Sequence, residues 1–400
     1  MQLDTITELL QIPGYKVRHM VSCTGNRIEL LLEREDERAR VCSGCGKVHT
    51  TAVHSEGSVL LEDLPISGKR VYLHVPKRKA VCPEDGSIRV EELKWVRGRF
   101  TKRFADQVYR LTAITTNKEA GWFLGIDDET VYRLDKGMLE ELALEKIEKV
   151  KSPRHMSVDE VAWQKWHKYV TNVVDVDKRK VIWNHDGRGK TTLDKFYHKI
   201  GEGGCKRIKA VASDGAKGFL SSTREHAKNA LIVLDHFHVK KYLNEAVDVV
   251  RKEELRKARQ EKQEDLSRIL HCNKRFILMQ NKVTNKQKDM LEKISTLNER
   301  VYKAMLLKEQ FLSLYVAGNR RIAAAIRSGI ASFVELGYKF FRKRHYVLNY
   351  FVCKITSAIS EGINNKIKRL KRMAYGYRDV KYFLLKIHQH CGLLDPKLST

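Results

Sequence analysis

Nowhere in these 400 residues do eighteen apolar residues follow one another, which excludes a membrane-spanning helix of the usual kind. Eight cysteines are present, but Cys42 and Cys45 form the one close pair. The others, Cys23, Cys82, Cys205, Cys272, Cys353 and Cys391, are too scattered for a disulfide framework. Acidic residues are scarce: 49 Asp and Glu against 76 Lys and Arg leave a net charge of +27. Solubility alone does not ask for so large an excess. Spread along the whole chain, it makes a polyanion the expected partner, nucleic acid ahead of an acidic membrane surface. Proline is missing from residues 239–341, which permits long helices there. Asp4 and Glu8 fall where a signal peptide needs an apolar core, so a soluble protein in a reducing, cytoplasmic compartment is expected.

What is there is organised around residues 156–163, MSVDEVAW. This apolar strand pattern carries Asp159 and Glu160 in mid-run, and a buried strand rarely tolerates charge without a use for it. Asp159 is the first candidate metal ligand. Residues 168–175 and 180–183 read as two further β-branched strands, 191–200 as a helix, and 207–213 as a fourth strand ending at Asp214. Three strands, a helix and a strand with a carboxylate at its end is the order of an RNase-H-like α/β core. A helix over GAKGFLSSTREHA and a fifth strand at 230–234 follow, then Asp235 in the run LDHFHV. Asp235 also ends a strand, but the strand count favours Asp214 as the second acid, beside the first strand.

From 239 to about 341 the pattern is helix-periodic and rich in Lys, Arg, Glu and Leu, either an all-helical insertion in the core or a charged coiled-coil arm. Core-like sequence resumes at 345–371. There Ile363, Ile367 and Leu370 share one helical face, while Glu361, Asn365, Lys368 and Arg372 share the opposite one. Glu361 is the third candidate acid, with Lys368 placed to reach a phosphate. Phosphodiester chemistry with two divalent ions needs such a cluster of hard oxygen ligands.

Residues 1–96 read as a small β-rich module, with strands at NRIELLLE and KRVYLHV and a knuckle, Cys42-Ser-Gly-Cys45, between them. A Cys-x-x-Cys turn followed by Gly46 is half of a structural zinc site. The spacing returns at Cys82-Pro-Glu-Asp85 with Asp85 in place of a second cysteine. Cys42, Cys45 and Cys82 are candidate zinc ligands, and Asp85 is a candidate fourth; His49, His54 and His74 are also available. Over 97–150 the spacing predicts helices at 101–114, 117–123 and 127–134, with a tight turn at Leu124-Gly125-Ile126. This is the pattern of a helix-turn-helix. Its reading helix exposes Glu129, Thr130, Tyr132 and Arg133 as candidate DNA contacts, and a charged helix over 136–149 leads to a linker broken at Ser152-Pro153. The catalytic domain then occupies 151–400, interrupted at about 240–345.

These residues resemble the bacterial insertion-sequence transposases of the ISL-three group. The resemblance covers nearly the whole chain and rests on the cysteine pattern, EDLPISGKRVYLHVPKRKAVC, SVDEVAW, VASDG, LDHFHVKKYLNEAV and SEGINNKIKRLKRMAYGYRDVKYFLLKI. It implies catalytic acids at Asp159, Asp214 and Glu361, holding two Mg²⁺ or Mn²⁺ ions. It also implies recognition of terminal inverted repeats by the amino-terminal modules, and cleavage and strand transfer into target DNA. Asp85 departs from the pattern, where the group usually has cysteine. A homodimer or larger assembly on DNA and a bacterial, nucleoid-associated location are expected with it. Rival readings are a DNA-binding regulator derived from a transposase and a structure-selective nuclease on the same fold.

Overall fold

The computed structural model describes residues 3–35, 40–49, 53–164, 166, 168–234, 236–278, 285–312, 328–353, 355 and 358–396. The chain divides into two compact units, Met1–Glu145 with Leu394–Thr400, and Lys146–Leu393.

Among the described residues of the first unit a helix, Leu3–Leu10, precedes nine strands. They are β1 (Tyr15–Thr24), β2 (Arg27–Arg34), β3 (Arg40–Val41), β4 (Val48–His49), β5 (Val53–Ile66), β6 (Lys69–Val81), β7 (Ile88–Val90), β8 (Val96–Arg97) and β9 (Phe100–Thr101). The main sheet runs β1-β2-β6-β5-β9-β8, with β7 also on β6, while β3 and β4 pair separately. Alternation builds its core: Val71, Leu73 and Val75 on β6 are fully buried and pack with Leu30, Leu32 and Leu61. The β5–β6 hairpin turns through Ser67 and Gly68, both at positive φ (51° and 77°), as a two-residue turn between twisted strands requires. Three helices follow, Lys102–Thr112, Asn117–Leu124 and Asp128–Lys146. The last is longer than the spacing predicts: no break falls at Leu134, and the expected separate helix over 136–149 is its continuation. Gly137 lies within it and does not end it.

The second unit is built on β10 (His155–Gln164), β11 (Lys168–Asp175), β12 (Lys180–Asp186), β13 (Ala210–Ser213) and β14 (Leu231–Leu234), in the order β12-β11-β10-β13-β14. β12, β11 and β10 are antiparallel neighbours; β10, β13 and β14 are parallel. The helix before β13, Lys190–Arg207, is interrupted at Gly201 (φ 66°) and consumes Arg207, so β13 is shorter than the stretch 207–213 that reads as strand. One sheet face packs Leu193, Phe196, Tyr197 and Phe219 from the helices Lys190–Arg207 and Lys217–His226. The other packs Ile363, Ile367 and Leu370 from Ala358–Met373 together with Phe383 and Ile387 from Val380–Cys391. Seven described helices from His236–Gln260 to Arg344–Cys353 follow β14. Leu243, Val247, Leu270, Val301, Phe311, Phe333 and Phe340 give most of them a shared buried core.

Candidate active site

β10 and β13 run parallel with Val158 opposite Ser213, so the next residue on each chain is Asp159 and Asp214, on strands about 4.8 Å apart. Both carboxylates are half-buried. Burial pushes the Asp159 carboxyl above its ordinary value; Asp214's charge adds to this, while the Glu160 N–H, His238 and Asn364 oppose it. Glu160 is pushed up by burial too, then by Asp214, with Arg188 opposing. The three acids therefore share one local field.

Hydrogen bonds fix these groups. Asp159 Oδ1 accepts from Glu160 N at 2.7 Å, and its Oδ2 accepts from Asn364 Nδ2 at 2.6 Å. Asp214 Oδ1 accepts from Ala216 N at 2.8 Å, so the chain after β13 folds back on its own carboxylate. Glu361 is half-buried in the first turn of the helix Ala358–Met373, one turn before Asn364. The Asn364–Asp159 bond thus ties the Glu361 helix to β10 across 205 positions of sequence. Asn365, Lys368 and Arg372 are exposed on that helix, as the spacing predicts.

Further groups enter that sequence reasoning passed over. Asn172 lies opposite Asp159 on β11 and is buried, and neither end of its amide has a hydrogen-bond partner among the described residues. Such an orphan needs a ligand or solvent to satisfy it. Lys343, after the helix Ala331–Arg342, donates to the Gly215 carbonyl at 2.6 Å, and burial pushes its ammonium pKa down against the pull of Asp214. Register with Asp159 could have pointed to Asn172; nothing in the sequence pointed to Lys343. Asp235 lies outside the described residues.

Among the described residues, one group of three candidate ligands has its ligand atoms all within 4.8 Å of one another: Cys42, Cys45 and Cys82. The thiol group is formed by two turns of one design. Cys42 N donates to Lys47 O and Gly46 N to Cys42 O, at 2.9 and 2.8 Å. Cys82 N donates to Ser87 O and Gly86 N to Cys82 O, both at 2.8 Å. Gly46 and Gly86 both take φ 70°, a left-handed turn open to glycine. The backbone N–H groups of Cys45 and Gly44 hold the Cys42 thiol below its ordinary pKa. Asp85 accepts from Ser87 and Arg89, which hold its carboxyl well below the usual range. His74 is engaged with Glu29 at 2.9 Å.

In the helical region of the first unit, Thr116 and Glu119 form a capping box, and Gly125 (φ 70°) closes the helix Asn117–Leu124. Gly121 allows the following turn to come close, since a Cβ would meet Ile126 O at 2.6 Å. Thr130, expected on the exposed face of the next helix, is buried: its N–H and hydroxyl both donate to Asp127, at 2.7 and 2.8 Å. Arg133 is exposed and Tyr132 half-buried.

Two family models match the chain: one described as a transposase of the ISL3 type, over residues 156–387, and one described as the zinc-finger of transposase IS204/IS1001/IS1096/IS1165, over residues 38–85. The transposase for insertion sequence element IS1001 of Bordetella parapertussis is 32% identical over 373 residues, 88% of each chain. The transposase for insertion sequence element IS1557 of Mycobacterium tuberculosis (strain CDC 1551 / Oshkosh) is 26% identical over 371 residues, covering 85% of this chain and 83% of that one. The first match spans both the strand of Asp159 and the helix of Glu361, and the second contains all three cysteines; the chain belongs to the ISL3 family of insertion-sequence transposases.

Proposed function

We propose that this transposase binds the terminal inverted repeats of its own insertion sequence and catalyses metal-dependent DNA cleavage and strand transfer. Asp159, Asp214 and Glu361 are its catalytic acids. The observation that carries this reading is the hydrogen bond from Asn364 to Asp159, which brings the third acid's helix to the strand pair bearing the other two. The strand order, three antiparallel neighbours followed by two parallel ones, supports an RNase-H-like core. The capped helices and close Gly121 turn support a helix-turn-helix at 97–150, behind a zinc-binding module at 1–96.

An all-oxygen donor set suits Mg²⁺ or Mn²⁺, and the orphaned amide of Asn172 beside Asp159 suits a hydrated ion. When bound, two such ions supply Lewis acidity to the attacking and leaving oxygens of a phosphodiester. The protein's own work is to hold the carboxylates in place: Asn364 fixes one oxygen of Asp159, the Ala216 N–H fixes one of Asp214, and Asn172 offers its amide across the strand pair. Lys368 and Arg372, exposed on the Glu361 helix, meet the DNA backbone. Cys42, Cys45 and Cys82 suit a zinc ion by their soft thiolates, the fourth position falling to Asp85 or solvent. Arg133 and Tyr132 face the duplex, with Thr130 serving the helix cap. Two DNA ends must be joined in one reaction, so a homodimer or larger assembly forms on DNA.

The test uses purified protein, magnesium and a labelled duplex that includes the DNA flanking the gene. Wild type is expected to cut and join, whereas Asp159→Asn and Glu361→Gln bind the duplex and do neither. Binding alike by all three with no cutting would favour a regulator, and cutting without joining would favour a nuclease.

A further inference from the structure

Two segments leave the carboxylates side by side. Asn364 donates to Asp159 at 2.6 Å, Lys371 to the Ala162 carbonyl at 2.9 Å, and Gln164 Nε2 to the Tyr377 carbonyl at 2.9 Å. The spacing is consistent: seven helical residues and three strand residues each advance about 10 Å. Strand and helix therefore travel together, and roughly 20 Å from Asp159 each ends near an aromatic side chain turned out of the core. Trp166 is 89% exposed and Tyr375 101%.

Burial was open to aromatics here. Trp163 and Tyr377 both pack on Phe383, at ring-centre distances of 6.5 and 4.8 Å. Trp166 and Tyr375 also sit at positive φ, 65° and 50°, a conformation that strains a bulky side chain. At Tyr375 the fold's own preference is plain. Its N–H donates to Arg372 O at 3.1 Å, and that of Gly376 to Lys371 O at 3.0 Å, closing a helix end whose left-handed position glycine usually takes. Stability alone would put glycine there. Exposed Lys168, Arg372, Arg378 and Lys381 belong to the same segments, while Asp379 accepts from the N–H groups of Lys381 and Tyr382.

Exposed rings kept at a cost to the backbone and accompanied by cations suit the faces of nucleic-acid bases, which are available only where a strand is unpaired. We infer that Trp166 and Tyr375 form a base-stacking site for an unpaired stretch of the DNA on which the carboxylates act, roughly 20 Å from the reacting phosphate. The inference rests on the transposase reading of the carboxylate site.

The test compares two probes without added divalent ion: an end duplex from the DNA flanking the gene, and the same duplex carrying an unpaired tail. Full-length Trp166→Gly and Tyr375→Gly should melt at or above the wild-type temperature, because each relieves strain. Each should bind the tailed probe about tenfold more weakly, in line with the loss of one stacked base, and the plain duplex within about twofold of wild type. Trp166→Phe and Tyr375→Phe keep a ring and should keep the affinity, which guards against a glycine variant that fails to fold. Equal tailed-probe binding by wild type and the glycine variants overturns the inference, as does an equal loss on both probes. Lost self-association with unchanged DNA binding also overturns it, marking the rings as a contact between copies. If wild type binds neither probe, the transposase reading falls as well.

Discussion

At the thiol site the chain makes one turn twice, with matching hydrogen bonds at Cys42 and Cys82 and a left-handed glycine four residues after each. At the carboxylate site nothing repeats: two strands and a helix supply the acids, and 147 positions separate Asp214 from Glu361. The difference shows in how each tolerates loss. The second knuckle keeps its backbone although Asp85 stands where a cysteine is expected, because the turn is coded locally by Gly86 and the Ser87 carbonyl. At the carboxylate site local N–H groups fix single oxygens of Asp159 and Asp214, but no local turn brings the three acids together. It depends on long-range ties such as Asn364 to Asp159.

If the sites are independent in this way, damage to one should spare the other. Asp159→Asn is expected to lower cleavage by about a thousandfold, the order of effect for losing metal-assisted charge stabilisation, while zinc content by elemental analysis stays at the wild-type level. Cys42→Ser should lose the zinc and lower the melting temperature of the first unit, since zinc binding is folding energy. Either variant disturbing both sites would break the comparison. Next in size, Asn364→Ala should raise the Mn²⁺ concentration for half-maximal cleavage about 10- to 100-fold, the usual effect of removing an outer-shell partner. An unchanged titration would mean that the apolar face of the Glu361 helix and the bond from Lys371 to the Ala162 carbonyl hold it without Asn364.

The same contrast explains what the sequence made legible. β11 reads correctly to the residue, because Val170, Val173 and Val174 are β-branched, buried and bounded by polar ends. Ile363, Ile367 and Leu370 declare their face by period, and so the helix of Glu361 could be placed. Asn364 could not: it lies beside that apolar stripe, and only the folded chain reveals that its amide meets a strand residue 205 positions away. Thr130 misled for the opposite reason. A hydroxyl on a charged helix looks exposed, but Asp127 three residues earlier captures it as part of the cap. The helix Asp128–Lys146 runs on where the spacing divides it between 134 and 136.

Two smaller effects sharpen the contrast. Asp85→Cys completes the second knuckle on a backbone already shaped for it, and should tighten zinc binding by about tenfold or more as a soft ligand is added. A chelator competition that leaves the affinity unchanged would mean that the Asp85 side chain points irretrievably toward Ser87 and Arg89.

Acid offers the finest distinction, because it protonates thiolates and carboxylates alike but also acts on a group belonging to neither site. His388, in the helix Val380–Cys391, is buried, and burial pulls its pKa from 6.5 down to about 3, with Lys199's charge adding and a backbone hydrogen bond at Val181 opposing. The imidazole is therefore neutral in the folded protein at pH values where the unfolded chain protonates it. Between 6.5 and about 3 the unfolded state binds more protons, so the contribution of His388 is full above 6.5 and shrinks as pH falls. The loss approaches about 1.4 kcal/mol per pH unit at most. Melting followed from pH 7 to 5 should fall less steeply for His388→Gln than for wild type, while the pH at which zinc is released stays the same in both. Equal slopes would show that His388 finds a way to protonate in place, and a shifted zinc release would show that the two units do not answer to acid separately.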